Sequence, residues 1–451
     1  MTRLRLGSRA AWRAIGLQRV AAGLMCVAAL GCDLTRVSAP DLVEPPDLEN
    51  PSGATALYNG ALTLLAQAFN GGPLTNANSA VVASGLLTDE LGNTSGSALQ
   101  VGLDSRTIDD AGTLGSFSYT ALQQARVQSL AAAQVIARVA PQPSSRIGHL
   151  LAVTAYSELL LGELFCAGIP LADVQGGAPV TYGPSLTTQQ LFERALIDLD
   201  SAASYASDSA RILNLARVGR GRILLNLGRL AEAAAAVSSV PTTYTYVTDH
   251  ATAVQPNLLS SSFTNGAITV SELEGGNGLN YRSATDPRVN AAFLRKGTDG
   301  ITDTWALTTL TGGLATPAVL ASGVEARLIE VEAALQANPN DTASTGNGWL
   351  GILNGLRSTA ISPAMTALAD PGSPAARVDV LFRERAFWLY GTAHRQGDLR
   401  RLSRQYGRPA ESLWPTGTYR ATVYGTSVTL VPNLIQEGAN PNYHGCLDRN
   451  P

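Results

Sequence analysis

The side chains able to do chemistry are few and far apart. Four histidines occur, His149, His250, His394 and His444. None has the His-x-x-x-His or His-Glu-x-x-His spacing that puts two metal ligands on one helix face, and no Cys-x-x-Cys occurs, so no metal site is expected. Lysine occurs once, in Phe293-Leu294-Arg295-Lys296-Gly297. A phosphate-wrapping loop needs Gly-Lys-Ser/Thr, which Lys296 after Arg295 does not supply. Schiff-base chemistry has no other lysine to use. The Gly-x-Ser-x-Gly elbow of serine hydrolases is absent. Asp109-Asp110 and Asp89-Glu90 are adjacent carboxylates, but a glycosidase needs two that face each other across a substrate. They read as loop or capping charges. Gly346-Asn347-Gly348-Trp349-Leu350-Gly351 fits Gly-x-Gly-x-x-Gly, yet a dinucleotide loop needs a strand directly before it inside a βαβ unit. Residues 336–345 are polar and contain Pro339, so this run reads as a helix–helix connection. The pattern points away from an enzyme and from any cofactor.

The elements that would position a binding site are mostly helical. The chain has 451 residues, 45% hydrophobic, 15% charged and 6% aromatic. At about 150 residues per domain this is two or three domains or one large helical assembly. Lys+Arg is 32 against Asp+Glu 35, a net charge of −3, which argues against nucleic acid as a partner. Apolar residues at three and four spacing mark helices over 54–69, 79–91, 118–139, 145–167, 188–206, 210–227, 230–237, 324–337, 349–360 and 374–391. Short Gly or Pro loops between many of them favour antiparallel neighbours. Gly221-x-x-Leu224-x-x-x-Gly228-x-x-x-x-Ala233 has tetratricopeptide spacing, in which small residues let two helices approach closely. The runs 152–171 and 188–206 could form another pair. The fold class is therefore mainly α, with tetratricopeptide-like helical hairpins stacked into a superhelix. Residues 240–320 differ, being rich in Thr, Ser, Gly and Asn. They carry short β-like runs at 267–270 and 305–307 and read as loop and strand draped on the helices. Near the C-terminus, 419–424 and 426–431 flank Gly425 with alternating polarity, a small hairpin signal.

The N-terminus reads as an address. Arg3, Arg5, Arg9, Arg13 and Arg19 precede a short apolar run, 20–30, and then Gly31-Cys32. That order describes a secretory signal, and the run is too short for a transmembrane helix. Ala29-Leu30-Gly31-Cys32 resembles the bacterial lipobox, in which the cysteine is lipidated and becomes the first residue. Cys26 is a second candidate, and an ordinary cleaved signal is the alternative. On the first reading 1–31 is a lipoprotein signal peptide and Cys32 carries the lipid. Cleavage removes five arginines and no acid, leaving a more acidic body. Residues 32–51, with Pro40, Asp41, Glu44, Pro45, Pro46, Asp47 and Glu49, form an extended tether. Cys166 and Cys446 remain. In an oxidising compartment a disulfide between them is the expected state, with two buried thiols as the alternative.

The run 384–401 carries a resemblance to a known family. Glu384-Arg385, then Arg395, then Asp398-Leu399-x-Arg401 resembles the signature of the SusD/RagB family, surface lipoproteins that pair with TonB-dependent transporters to import nutrients. Other segments agree in order: Asn50-Pro51 with 57–61, 161–165 before Ile169-Pro170-Leu171, 196–202, Asp286-Pro287-Arg288, 327–334 with Glu330 and Glu332, and Glu437-x-x-Asn440-Pro441-Asn442. The resemblance covers Cys32 to the end. It implies one domain over 52–451, with a helical-repeat half over about 52–240, a loop-rich segment over about 241–320 and a C-terminal signature region over about 321–451. It implies a lipid-anchored, cell-surface-facing protein of the outer membrane, not an enzyme. Its partners would be a SusC-like TonB-dependent β-barrel and a small glycan or peptide. Aromatic platforms and polar loop groups would hold that ligand. Tyr281, Arg282, Asp286 and Trp305 in the middle segment are the candidates, with Asn76, Asn78 and Asp89 in the first loops. Within the signature, Val378, Phe382, Ala386, Leu389 and Ala393 share a helix face and should be core. Glu384 and Arg385 should pair with charges on a neighbouring helix, and Asp398 should cap a helix starting at Leu399. The alternative function is a periplasmic helical-repeat lipoprotein that scaffolds an envelope assembly.

Overall fold

Local capping chemistry starts the first helix of the body. In the computed structural model, helix α1 (Pro51–Asn70) begins where the Asn50 side chain accepts from the Ser52 and Gly53 N–H groups at 3.0 Å each, with Pro51 in the first turn. The structure describes residues 48–72, 78–113, 116–173, 180–310 and 312–451. Cys32, the signal peptide, the tether up to residue 47 and Asn76 lie outside them. The chain divides into two units, 1–48 and 49–451, and all elements named here belong to the second.

After α1 come α2 (Ala80–Leu87), β1 (Leu91–Asn93), α3 (Ala98–Asp104), α4 (Ser116–Val139) and α5 (Ser145–Leu164). The short β2 (Ile169–Pro170) and β3 (Ser185–Leu186) lead into α6 (Thr188–Tyr205), which opens with a reciprocal capping box between Thr187 and Gln190. Next are α7 (Ala210–Asn226) and α8 (Leu230–Val237). Helix α1 packs on α4, α4 on α5, α5 on α6, α6 on α7 and α7 on α8, so the stack grows mostly by neighbour pairs. Gly221 on α7 shows why the spacing matters: a Cβ there would sit 2.5 Å from Val237 Cγ1 on α8.

The middle segment supplies β4 (Thr245–Thr248), α9 (Leu258–Thr264), β5 (Ile268–Val270), β6 (Ala291–Lys296), β7 (Asp303–Leu307) and β8 (Ala318–Ser322). The strands pair antiparallel in twos: β4 with β8, β1 with β5, and β6 with β7. This segment is not merely draped on the helices. Ile268, Val270 and Tyr281 are fully buried in the main core, because β5 pairs with β1 across the helical half. The C-terminal part holds α10 (Gly323–Ala337), α11 (Trp349–Thr359), α12 (Pro374–Trp388), α13 (Arg395–Tyr406), β9 (Thr418–Tyr419), β10 (Thr422–Val423) and α14 (Leu434–Glu437). Leu328, Trp349, Phe382, Leu402 and Trp414 centre a second core between α10, α11, α12 and α13. Cys166 and Cys446 are joined by a disulfide across 280 residues of sequence, with the tail laid alongside through Leu447 N–H to the Ala167 carbonyl at 2.8 Å.

Two local expectations are corrected. The C-terminal hairpin turns at Arg420-Ala421, with Thr422 opposite Tyr419, and not at Gly425. Gly425 instead donates its N–H to the Ser105 carbonyl at 2.8 Å, and a Cβ there would lie 2.3 Å from the Arg106 carbonyl oxygen. It is a close-approach glycine rather than a turn glycine. Helix α13 begins at Arg395, four residues before Leu399, so Asp398 lies inside its first turn and does not cap it.

What Asp398 does is hold two arginines. Arg385 on α12 donates from Nε and Nη2 to its two oxygens at 2.8 Å each, and Arg401 donates from Nη2 at 2.7 Å. Arg401 also reaches Glu332 on α10. Burial pushes the Asp398 carboxyl up, but the Arg385 and Arg401 charges outweigh it and hold it well below the usual range. Removing one partner of such a cluster strands a buried cation. Asp398→Asn is therefore expected to cost about 3–5 kcal/mol of unfolding free energy by denaturant titration; a loss under about 1 kcal/mol would show the cluster to be solvated.

A second polar joint ties α1, α5 and β4. His149 Nδ1 lies 2.6 Å from the Tyr58 hydroxyl and its Nε2 lies 2.6 Å from that of Tyr246. Burial, then the Arg211 charge, push the His149 imidazole down to about 3. A depressed folded value means that the unfolded chain takes up a proton first. The stabilisation is thus full above about 6.5 and is lost as pH falls towards 3, with a slope of up to about 1.4 kcal/mol per pH unit. His149→Gln should flatten this part of the acid-unfolding curve relative to the parent protein, as read by thermal melts between pH 4 and 7.

Candidate functional site

A polar cleft of about 540 Å³ opens between β1, the end of α3, β7 and the β9–β10 hairpin. Its floor is acidic. Asp104 ends α3 and is 3% exposed; its Oδ2 accepts from the Tyr419 hydroxyl at 2.8 Å and the Asn93 N–H at 3.2 Å, and its Oδ1 has no partner. Glu274 accepts from the Tyr424 hydroxyl and from Ser271 Oγ, the latter at 2.8 Å. Burial, then the charge of Glu274, raise the Asp104 carboxyl well above its ordinary range. Burial also raises Glu274, against the hydrogen bonds from Tyr424 and Ser271.

The rim is aromatic and cationic. β-strand register sets Phe293 on β6 opposite Trp305 on β7, which puts both rings on one face of the hairpin. Their centroids are 6.2 Å apart, edge to face. Trp305 is half-buried and pinned from behind by its N–H, which donates to Thr269 Oγ1 at 2.9 Å. Phe293 is 54% exposed. The Arg282 guanidinium lies 5.4 Å from the Trp305 ring centroid. Glu272 accepts from the Arg282 N–H at 2.8 Å and so fixes the backbone that carries this arginine. Arg420 hooks the other side by donating to the Asn93 carbonyl. An apolar face with convergent donors and acceptors holds a ligand that has both a flat apolar side and hydroxyl or amide groups.

Of the residues singled out from sequence, Trp305 and Arg282 meet in this cleft. Tyr281 does not: it is fully buried, stacked among Phe387 and Tyr390 at 5.1 and 4.9 Å, so it is a core residue and offers no platform. Asp89 is likewise buried, gripped by Arg395 Nε and Nη2 at 2.6 and 2.9 Å and by the Leu279 N–H at 2.8 Å. Both expectations are corrected by burial. Asp286 is half-buried away from the cleft lining, where it caps the turn at Pro287 and binds Arg288, which in turn grips Glu384. Asn78 is half-buried just before α2 and does not line the cleft.

The residues that sequence reading missed are Asp104, Glu274, Tyr419, Arg420 and Tyr424, which line the cleft, and Phe293, which lies beside it against Trp305. A signal existed for Phe293: Thr298-Asp299-Gly300 is turn chemistry between two strand-like runs, and a hairpin drawn there faces Phe293 towards Trp305. Asp104, Glu274 and Tyr419 meet only through tertiary folding and leave no local mark. The Gly346–Gly351 run lies before and within the start of α11 with no strand ahead of it, so it lacks the βαβ setting of a dinucleotide loop. Among the described residues no group of three or more His, Cys, Asp or Glu is arranged to hold a metal ion, and no helix is long and apolar enough to cross a membrane.

No sequence-family model matches the chain, and no curated protein sequence matches it. Solved structures do match. A SusD superfamily protein from Parabacteroides distasonis superposes with a TM-score of 0.67 at 14% identity, over 87% of this chain and 98% of its own. A laminarin-binding SusD-like protein gives 0.63 at 16% identity, over 88% and 99%. Surface glycan-binding protein A from Bacteroides thetaiotaomicron gives 0.64 at 12% identity, over 89% and 99%. The chain therefore has the SusD-like fold, with its tetratricopeptide-type helical body.

The raised Asp104 carboxyl has a thermodynamic consequence. Its proton is held more tightly folded than unfolded, so its contribution to stability falls as pH rises from about 3.9 through the folded value. Asp104→Asn keeps an oxygen for Tyr419 and Asn93 but does not ionise. Its melting temperature relative to the parent protein should climb between pH 4 and 8. Asp104→Ala, which orphans the Tyr419 hydroxyl, should lose about 1–3 kcal/mol at pH 4, a deficit that shrinks as pH rises. A flat difference between Asp104→Asn and the parent would mean that Asp104 titrates normally.

Proposed function

We propose that this chain is a surface-exposed, lipid-anchored nutrient-binding protein that serves as the lid of a TonB-dependent outer-membrane transporter, with Cys32 as the lipidated residue. Its ligand is a glycan held in the cleft beneath the β6–β7 hairpin. The observation that carries this reading is the exposed Phe293–Trp305–Arg282 face beside a hydroxyl-lined acidic floor. A sugar has one apolar face of C–H groups and a rim of hydroxyls, which matches stacking on Trp305 and hydrogen bonding to the Asp104–Tyr419 and Glu274–Tyr424 pairs. The fold it shares with proteins named for laminarin and surface-glycan binding supports the same assignment.

The test is affinity electrophoresis of the soluble body in gels that contain a panel of polysaccharides, laminarin included. At least one should retard the protein, and Trp305→Ala and Phe293→Ala should each weaken that binding about tenfold or more (about 1.4 kcal/mol). Retardation unaffected by both changes would move the ligand elsewhere. A mild-detergent pull-down of the lipidated protein should recover a TonB-dependent β-barrel; recovery of soluble envelope proteins alone would favour a scaffold.

A further inference from the structure

A leucine stands in the wall of the aromatic cleft where the backbone does not suit one. Leu273, just after β5, has φ +52°, in the left-handed region where a Cβ crowds the neighbouring carbonyl. Two more residues of the same loop are left-handed, Gly275 at +61° and Gly276 at +78°, and both are glycine. At 273 the chain keeps a bulky apolar side chain instead. That side chain is 53% exposed, belongs to none of the hydrophobic clusters of the described residues, and lines the cleft together with Trp305 and Arg282. An exposed leucine alone needs no explanation. An exposed leucine held in strain does, because neither packing nor backbone preference accounts for it.

The loop is braced on both sides of this residue. Leu273 N–H donates to the Leu279 carbonyl at 3.0 Å, and the Leu273 carbonyl accepts from the Gly276 N–H at 2.9 Å. Glu272 accepts from the Arg282 and Ser283 N–H groups at 2.8 and 3.1 Å. Glu274 accepts from Ser271 Oγ at 2.8 Å and from the Tyr424 hydroxyl. Such bracing is what keeps a strained residue in place. Arg420, the other non-glycine residue of the cleft with a left-handed φ, at +49°, has its own reason: it turns the β9–β10 hairpin and donates to the Asn93 carbonyl. Leu273 has no polar group to place, and what its side chain meets is the cleft.

We propose that Leu273 is a ligand-contacting residue, a second apolar contact beside Trp305, and that the loop carries its strain to place it. The inference rests on the glycan reading of this cleft and deepens it. The sugar unit bound there presents ring C–H groups to Leu273 as well as to the aromatic face, and a hydroxyl directed at Leu273 is left without a partner. Leu273 thus selects the orientation of the unit and rejects units with a polar group at that point.

The experiment is affinity electrophoresis of the purified protein in gels that contain laminarin, starch, xylan or pectin, with thermal melts of each variant alongside. Leu273→Gly removes the side chain and relieves the backbone. It should melt no lower than the parent protein, yet bind the retarding polysaccharide about fivefold more weakly or more. Leu273→Asn, which also tolerates the left-handed region but offers a polar tip, should do the same. Leu273→Met keeps an apolar side chain of similar size and should recover most of the affinity. Full binding by Leu273→Gly, where Trp305→Ala has lost it, overturns this inference alone. A marked fall in melting temperature in both Leu273→Gly and Leu273→Asn overturns it too, since the side chain would then be packing. No retardation in any gel, or retardation that Trp305→Ala leaves intact, removes the glycan reading and this inference with it.

Discussion

Charged side chains kept away from water are what the rest of this molecule is built around. Asp398 is shared by Arg385 and Arg401, Arg401 passes on to Glu332, Arg395 grips Asp89, Arg222 grips Glu163, and Arg288 and Arg357 share Glu384. The links tie α13 to its neighbour α12, to α10 and to the loop before β1, α7 to α5, and both α11 and the turn at Arg288 to α12. Desolvating such groups costs more than an equal volume of hydrocarbon would, and the cost is recovered only when every lone pair and every N–H is met. Arginine meets most of that demand because its planar fork engages a carboxylate with two bonds at once, while Arg385 Nη1, Arg222 Nη1 and Glu332 Oε2 stay without a hydrogen bond. The dominance of arginine among the cations fits this use, and the sole lysine, Lys296, lies on the exposed strand β6.

This rigidity reaches the cleft. Strand β5 is locked to β1 on one side and lies against β7 on the other, and Thr269 on β5 holds the Trp305 backbone. The ring that faces outward is thus mounted on strands whose far side is core. The loop before β1 carries Asp89, which Arg395 fixes, and β1 supplies Asn93 to the cleft floor. Arg395 on α13 and the aromatic face of the cleft are connected through the loop before β1 and strand β1, so one element serves both stability and the placement of the cleft.

The helical half could be read from the sequence because its information is local. Asn50-Pro51, Thr187 with Gln190, and Gly221 each act within a few residues or one helix pair, and the helices start and cross where those residues require. Glu384 and Arg385 do pair with other elements, as their place in the signature suggested. Reading failed where meaning depends on distant partners. Tyr281 sits in a Gly/Asn/Ser-rich stretch that looks like surface loop, yet Phe387 and Tyr390 arrive from α12 and its end to bury it. Gly425 has the look of a turn glycine, and what demands it is the Arg106 carbonyl. The acidic floor was invisible for the same reason: Asp104, Glu274 and Tyr419 come from three separate regions.

The disulfide from Cys166 to Cys446 closes a covalent loop over the chain from α6 to α14, while α1 to α5 stand outside it. The two parts therefore tolerate damage differently. A protease that cuts once within the loop, even in the β6–β7 turn that borders the cleft, leaves both pieces bonded as one molecule until a reductant acts. A cut between α1 and α5 severs the chain outright, and only packing then retains the detached helices. The cleft is thus backed by a stitch that outlasts a broken backbone, and the helices nearest the N-terminus have no such insurance.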